Sequence, residues 1–513
     1  MKKIRILLTA LAVPFCLSAV SALPAGALEA ATHEEYLEQR AALTEFPDPD
    51  ASYTTLSQDG LTFRLYDEYA VLAECTDRTV TEVTIPEEVG GLPVSGSTGT
   101  PFGYCRSLTA ITLPDTFEHF DWLDLCCTTV KALGSTEEPV PTVASVRVSD
   151  TNPHFREEDG ILYSKDGSVL IGCPPALELR ELALPEEVRT IGDYAFATNL
   201  TLERAVIPES VAHIHNAAFA FCPALEYAEL PSGMTAVTGE LFYGCTALSE
   251  VVWRGRITTI GYGAFDQCTA LTDFVIPDSV TRIGQYAFEE AGCTRTQDGV
   301  QYVGAWAVGS DSDVQRAVLP EGTLGIADMA FFGRTSVTEL DIPHSVQYPG
   351  YLTYAALLSE QTGIIRCRSH VLPENMLAAG RNATDIYLYD PACEIFDSEK
   401  TLPAQYRYTA PASSEDPFAL PETVTGDIVI HGYPGSTAQA YAAQYGRPFE
   451  PIAYLAGDVN GDEAVRLTDA VALQKWLVRC PSSSLFLGQA ADVCADGRLD
   501  VRDLTVLKQM LLQ

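Results

Sequence analysis

A single interval, twenty-three residues, governs the middle of this chain and restricts it to architectures built by stacking. Phe196, Phe219, Phe242, Phe265 and Phe288 keep the interval without slippage, as do Ile191, Ile214, Val237, Ile260 and Ile283. Leu202, Leu225, Leu248 and Leu271 hold a third register, and Pro185, Pro208, Pro231 and Pro277 a fourth, with Arg254 in the one missing place. Exact recurrence at such a spacing marks a solenoid, because one coil hides its apolar side chains only by stacking on its neighbours.

Within a coil, residues 271–277 alternate like a strand and stop at Pro277, which cannot donate to a ladder. Gly284 is expected to permit the tight bend, and Ala287-Phe288 to anchor a short helical or 3₁₀ turn. Stacked coils should then form a parallel sheet at about 4.8 Å spacing. Asp159-Gly160-Ile161-Leu162-Tyr163 and Asp298-Gly299-Val300-Gln301-Tyr302 read as hairpins inserted between coils, near 150–180 and 295–318. After Ile342-Pro343 the register degrades, with Pro349 where an isoleucine is expected and Tyr354 where a phenylalanine is. The role of residues 350–420 is left open. Tyr348, Tyr351 and Tyr354 read either as degenerate core positions or as a sugar-stacking strip.

This coil pattern resembles the leucine-rich repeat of BspA type, with gaps, from about residue 75 to residue 450. The stretch His431 to Thr437 with the helix-like 438–445 resembles the closing segment of such arrays, and residues 33–43 read as a short polar helix, either a cap or a linker. In this family the arrays serve as binding surfaces.

The tail carries a second duplication, offset by thirty-four positions. Asp458-Val459-Asn460-Gly461-Asp462 opens a twelve-residue loop closing at Asp469; Asp492-Val493-Cys494-Ala495-Asp496 opens one closing at Asp503. Oxygens at loop positions 1, 3, 5 and 12, with a backbone carbonyl from position 7, suit a hard cation of calcium's size. Those positions are Asp458, Asn460, Asp462, Ala464 and Asp469, then Asp492, Cys494, Asp496, Arg498 and Asp503. Glu463 stands where glycine normally supplies a positive φ, and Arg466 replaces a polar acceptor. A thiol is a poor calcium ligand, so Cys494 makes the second site the weaker of two. Val465 and Leu499 are placed for a short strand bridging the loops. Ala470, Leu473 and Leu477, then Leu504, Leu507 and Leu511, give each following helix one apolar stripe.

Because Gly457 is preceded by an extended segment, the unit is loop-then-helix twice, which looks like a type I dockerin over residues 453–513. The resemblance implies calcium-dependent binding to the cohesin domain of a cellulosome scaffold. It also implies that Leu467-Thr468 and Val501-Arg502, at loop positions 10 and 11, help choose the cohesin. As the two pairs differ, one preferred binding orientation is expected.

Hydrophobic residues make up 47% of the 513, which excludes general disorder. Lys2, Lys3 and Arg5, the apolar run 6–20 and small residues at Ala22 and Ala25-Gly26-Ala27 read as a secretory leader over residues 1–27. No later run is long enough to span a bilayer, so insertion into a membrane is not expected and surface attachment would be borrowed from a scaffold. A net charge of -37 argues against nucleic-acid partners and anionic membrane surfaces. Of fourteen cysteines, Cys222, Cys245 and Cys268 follow the coil interval and read as buried small hydrophobes, while Cys126/Cys127 and Cys480/Cys494 are candidate bridges.

The expected organisation is a leader (1–27), an N-terminal helix or cap (28–60), the array (61–450) and the dockerin (453–513). The fold class is a repeat solenoid, mainly β with short helical or 3₁₀ turns, followed by a small α-helical module with paired EF-hand-like loops. No nucleophile elbow, zincin helix, phosphate loop or dinucleotide fingerprint stands in a suitable context. His213 and His215 flank Ile214 and would emerge on one face, without a third ligand close in sequence. The expected role is an exported, non-catalytic binding protein of a polysaccharide-degrading assembly, whose array takes a protein or polysaccharide ligand. Rival readings are a cell-wall polysaccharide enzyme, since most dockerin bearers are enzymes, and an adhesin or protein inhibitor.

Overall fold

The interval of twenty-three becomes a backbone register. A computed structural model describes residues 51–126, 141–331, 337–350, 363–373, 383–399, 401–402, 405–406, 424–426, 428–461, 464–480, 485 and 487–512. The leader, the 33–43 segment, Cys127, Tyr351, Tyr354 and Asp462 lie outside these residues. The chain divides into two units, one of residues up to 257 with 264–273, the other of 258–263 with 274–513.

In the first unit, Arg204–Val206, Tyr227–Leu230 and Glu250–Trp253 form a parallel sheet in which Arg204 faces Tyr227 and Tyr227 faces Glu250. Thr190–Ile191 and His213–Ile214 form a second parallel ladder at the same offset. Between the ladders Phe196, Phe219, Phe242 and Phe265 stack with centroids 5.0, 5.8 and 5.6 Å apart. All four rings are fully buried. Each such burial contributes about 1.5–3 kcal/mol. The strand expected over 271–277 is not there, and Val275 is 78% exposed. Alternation identifies apolar faces, but a strand forms only where a ladder partner is in reach.

The cysteine register has a bonding role as well as a packing one. The Sγ atoms of Cys222, Cys245 and Cys268 donate to the carbonyl oxygens of Phe196, Phe219 and Phe242 at 3.1, 3.0 and 3.1 Å. Asn199, one interval before Cys222, bonds instead to the Leu177 carbonyl at 3.1 Å and accepts from the Thr201 and Leu202 amides. Burial pushes the Cys222 thiol well up from its ordinary value. Among the described residues no two cysteines form a disulfide, so Cys480 and Cys494, both exposed, are not bridged.

The bend is made differently from the expectation. Gly284 does not have a left-handed backbone; a Cβ there would lie 2.6 Å from the Tyr262 amide nitrogen, so glycine is required for close approach of coils. Left-handed residues instead occupy two positions per coil: Tyr194, Ala217, Glu240, Gly263 and Tyr286, then Thr198, Phe221, Gly244, Gln267 and Glu290. Most are not glycine, at an intrinsic cost of about 1–2 kcal/mol each. That strain is offset because the turned amides bond across coils: Tyr194 to Asn216 O, Ala217 to Gly239 O, Thr198 to Ala220 O, Phe221 to Tyr243 O.

The two Asp-Gly segments are type I′-like hairpins, with φ of 52° and 82° at Asp159-Gly160 and 50° and 81° at Asp298-Gly299. They are not simple inserts. Phe155–Glu158 and Ile161–Ser164 continue into Val169–Gly172, which pairs parallel with the coil strand Thr190–Ile191. Arg295–Gln297, Val300–Val303 and Trp306–Ser310 repeat this before Gly325–Ile326. A third copy, Thr54–Gln58, Leu61–Leu65 and Ala70–Cys75, turns at Asp59-Gly60 and pairs parallel with Leu92–Ser97. A helix or cap ending at residue 60 is therefore corrected, because Thr54–Gln58 is the first strand of this meander.

In the second unit Arg316–Val318, Glu339–Ile342, Gly363–Cys367, Ala383–Leu388, Val429–Gly432 and Phe449–Pro451 form one six-stranded parallel sheet. The stretch that looks degenerate thus supplies two strands of this sheet, and Val371–Leu372 and Glu394–Ile395 pair parallel beside it as a second ladder. Its register is obscured because Glu339 faces Ile364, Ile364 faces Asp385 and Asp385 faces Val429, offsets that no longer repeat. Tyr348 stacks on Trp306 at 5.9 Å, a packing contact, while Tyr351 and Tyr354 lie outside the described residues. The helix Thr437–Tyr445 closes the array, capped by the Ser436 hydroxyl and by left-handed Gly446.

Candidate functional site

Two helices, Leu467–Leu477 and Val501–Met510, hold the tail together through the stripes expected of them. Val459, Ala470, Leu473, Ala491, Leu504 and Leu507 are buried in one cluster, with Leu477 and Leu511 at its margin. Val465 and Leu499 also pack against it but form no strand, which corrects the expected bridge. Lys508 Nζ donates to Gln474 Oε1 at 3.0 Å, joining equivalent positions of the two copies.

The loops are sewn to each other at their entries. Gly457 N donates to Ala490 O at 2.9 Å and Leu487 N to Val459 O at 3.0 Å. Gly457 has φ 94°, and a Cβ there would meet Leu507 Cδ1 at 2.9 Å.

In the first loop Asp469 is fully buried and its carboxylate accepts three amides: Val459 at 2.8 Å, Asn460 at 3.0 Å and Arg466 at 2.7 Å. Asp458, also buried, accepts from Gly461 N at 2.8 Å. Gly461 takes the left-handed turn at φ 74° that lets the backbone wrap inward. Asn460 lies between them, with Nδ2 3.4 Å from Thr468 Oγ1.

The second loop repeats this web with substitutions that matter. Asp503 accepts from Cys494 N at 3.1 Å and Asp500 N at 2.9 Å, and Asp492 from Asp496 N at 3.1 Å and Gly497 N at 2.7 Å. Burial alone would raise the Asp503 carboxyl, but these amides hold it below its ordinary value. The Arg502 guanidinium, however, lies 2.9 Å from Asp496 and grips Asp500, competing for the carboxylate at position 5. Desolvation and the neighbouring Asp503 and Asp496 charges push the Cys494 thiol up, away from the thiolate.

The donor set of the first loop is all oxygen, with buried carboxylates already oriented by backbone amides, and it fits a hard divalent cation. The second offers sulfur at position 3 and an acidic ligand paired to arginine, and fits less well. Among the described residues no three His, Cys, Asp or Glu side chains converge as a ready-made metal cluster. His213 is half-buried on its strand and His215 buried beyond it, and neither belongs to such a trio. Leu467 and Val501, in the first turns of the helices, are 69% and 67% exposed. Thr468 and Arg502 beside them are exposed too.

Short parallel coils stacked at a fixed register, ending in a paired loop-helix module, define the class: a leucine-rich β-solenoid followed by a small helical module with EF-hand-like loops. Residues 176–297 match the BspA type leucine rich repeat region in six copies, and residues 456–512 match the dockerin type I domain. The chain therefore carries a BspA-type repeat array and a C-terminal type I dockerin, the calcium-binding module class that docks to cohesins. No curated protein matches the chain. Among solved structures it is similar to a leucine rich cell surface protein of Faecalibacterium prausnitzii, 23% identical over 66% of this chain and 83% of that one, TM-score 0.28. A leucine-rich repeat protein of Bacteroides ovatus is 20% identical over 67% and 77%, TM-score 0.32. Both matched modules are of non-catalytic type. Among the described residues no helix is long and apolar enough to cross a membrane.

Proposed function

We propose that this is an exported, non-catalytic binding protein that joins a cellulosome through its dockerin while the array presents a surface to a protein or polysaccharide ligand. The observation that carries the reading is the duplicated loop-helix unit with uncovered apolar residues, Leu467 and Val501, at equivalent places. Asp458, Asn460, Asp462, the Ala464 carbonyl and Asp469 would hold the tighter calcium; Asp492, Asp496, the Arg498 carbonyl and Asp503 the weaker. Calcium supplies the cross-link that fixes each loop against its helix. The chain's own amides orient the carboxylates, and the paired helices present Leu467, Thr468, Val501 and Arg502 to the cohesin.

The two faces are unequal. Arg502 is tied to Asp496 and Asp500, whereas Leu467-Thr468 has no comparable ionic tether. This supports one preferred docking orientation. Calorimetry against a panel of cohesins, with calcium and with chelator, tests the reading; absence of calcium-dependent binding to every cohesin would refute it. Exchanging Leu467-Thr468 with Val501-Arg502 should invert the docked orientation, and an unchanged orientation in the resulting complex would refute the assignment of these four residues.

A further inference from the structure

The dockerin of this chain does not hang from a loose tether. The strand Phe449–Pro451 extends the array's sheet by pairing with Val429–Gly432, and Ile452 N then donates to Gly432 O at 2.8 Å. Tyr433, directly after that last coil strand, is buried and stacks on Tyr454 with centroids 4.3 Å apart and planes 11° off parallel. Leu487 and Ala490 of the dockerin complete the same apolar cluster, flanked by Ile452 and Tyr454.

The short helix Gly488–Ala491 thereby faces two cores at once. Ala490 belongs to the cluster around Tyr433, and the next residue, Ala491, to the cluster between the dockerin helices. Asp492, which opens the second loop, follows immediately, and the Ala490 carbonyl also receives Gly457 N at the entry to the first loop. A displacement of this helix moves the starts of both loops.

We propose that the last coil of the array and the dockerin form one folding unit, so that calcium in the loops also stabilises the array's end, with Tyr433, Tyr454 and Leu487 as the coupling contact. The inference rests on the calcium reading above. Any opening of the coil that withdraws Tyr433 leaves Leu487 and Ala490 without cover and loosens the metal loops. By linkage, calcium that binds only the closed module opposes that opening.

Hydrogen exchange by mass spectrometry on the full chain, in EDTA and in saturating calcium, tests it. With calcium at a hundred times its dissociation constant, any opening that releases the ion is suppressed about a hundredfold. Peptides within 428–436 and 449–456 should gain protection together with those in 464–480 and 487–512. Truncating Tyr433 also disturbs packing inside the coil, so Leu487→Ala makes the same cut from the dockerin side. It should abolish the calcium response of the coil peptides while the dockerin helices still respond. Calcium protection confined to the dockerin in the unmodified chain, or a coil response that survives Leu487→Ala, overturns the coupling alone. No response anywhere sinks the calcium reading and the coupling together.

Discussion

Replacing Asp469 with alanine separates two jobs that one carboxylate performs. It closes the first calcium loop, and it also accepts three amides, from Val459, Asn460 and Arg466, while itself fully buried. Hydrogen bonds to a charged group contribute about 1.5–3 kcal/mol each. Three of them give roughly 4–9 kcal/mol, discounted toward the lower end because a loosened loop readmits water to the freed amides. A module of this size has only about 3–9 kcal/mol in total. Asp469→Ala should therefore unfold the dockerin in EDTA, before any metal is considered. Asp458→Ala removes the bond from Gly461 N and leaves the three-amide web of Asp469 in place, so it should cost less than Asp469→Ala without metal. Exchange protection of the peptides covering 464–480 and 487–512, measured without calcium, reads the difference. Equal losses for the two variants in EDTA would show that the amide web contributes nothing and that Asp469 acts only as a metal ligand.

Asp458→Ala should weaken calcium binding more than Asp492→Ala, and calorimetry giving equal or reversed losses would remove the ranking of the loops. Thr198→Gly should stabilise the first unit by about 0.5–1 kcal/mol, because a β-branched residue sits there at φ 63° where the chain elsewhere uses Gly244; a lowered urea midpoint would contradict this. Cys245→Ala should destabilise the first unit by about 1–2 kcal/mol, seen as a lower urea midpoint, by removing the donor to Phe219 O and leaving a small void. Burial, with Asp121 nearby, raises the Asp124 carboxyl to about 6, so its folded form binds protons more tightly than the unfolded chain. The associated stability, up to about 3 kcal/mol before solvent discount, is present below pH 4 and lost as pH rises through 6. Asp124→Asn should flatten that decline, and urea titrations between pH 4 and pH 8 would show it.

The parts of this protein that announce themselves in sequence are those where one side chain answers one fixed need. Phe196 to Phe265 recur because each ring must cover the next, and Asp458 and Asp492 recur because a cation cage tolerates few ligand types. Gly363–Cys367 and Ala383–Leu388 are hidden for the opposite reason: Ile365, Cys367, Ile386 and Leu388 are buried like the coil residues before them, but the offsets between successive strands vary, so the interval dissolves while the ladder persists. The third meander carries a readable signal in Asp59-Gly60 followed by Leu61, the same in kind as Asp159-Gly160-Ile161 and Asp298-Gly299-Val300. The left-handed positions carried none, since tyrosine, threonine, glutamate and phenylalanine all occupy them; inter-coil amide bonds, not residue type, enforce the conformation. The seat beneath the dockerin was equally silent, because Tyr433 and Leu487 meet only once the chain has folded.

The thiol contacts set a rule for how such an array can change size. Each of these three cysteines reaches back by the same twenty-six positions, from Cys222 to Phe196, Cys245 to Phe219 and Cys268 to Phe242. Excising residues 220–242 would deliver Cys245 to the vicinity of Phe196 with all partners of the right kind, whereas losing even two residues would point a buried sulfur at the wrong oxygen. Insertions and deletions within this stretch are thus quantised: copy number can drift in whole turns of the spiral, and anything smaller breaks the seam.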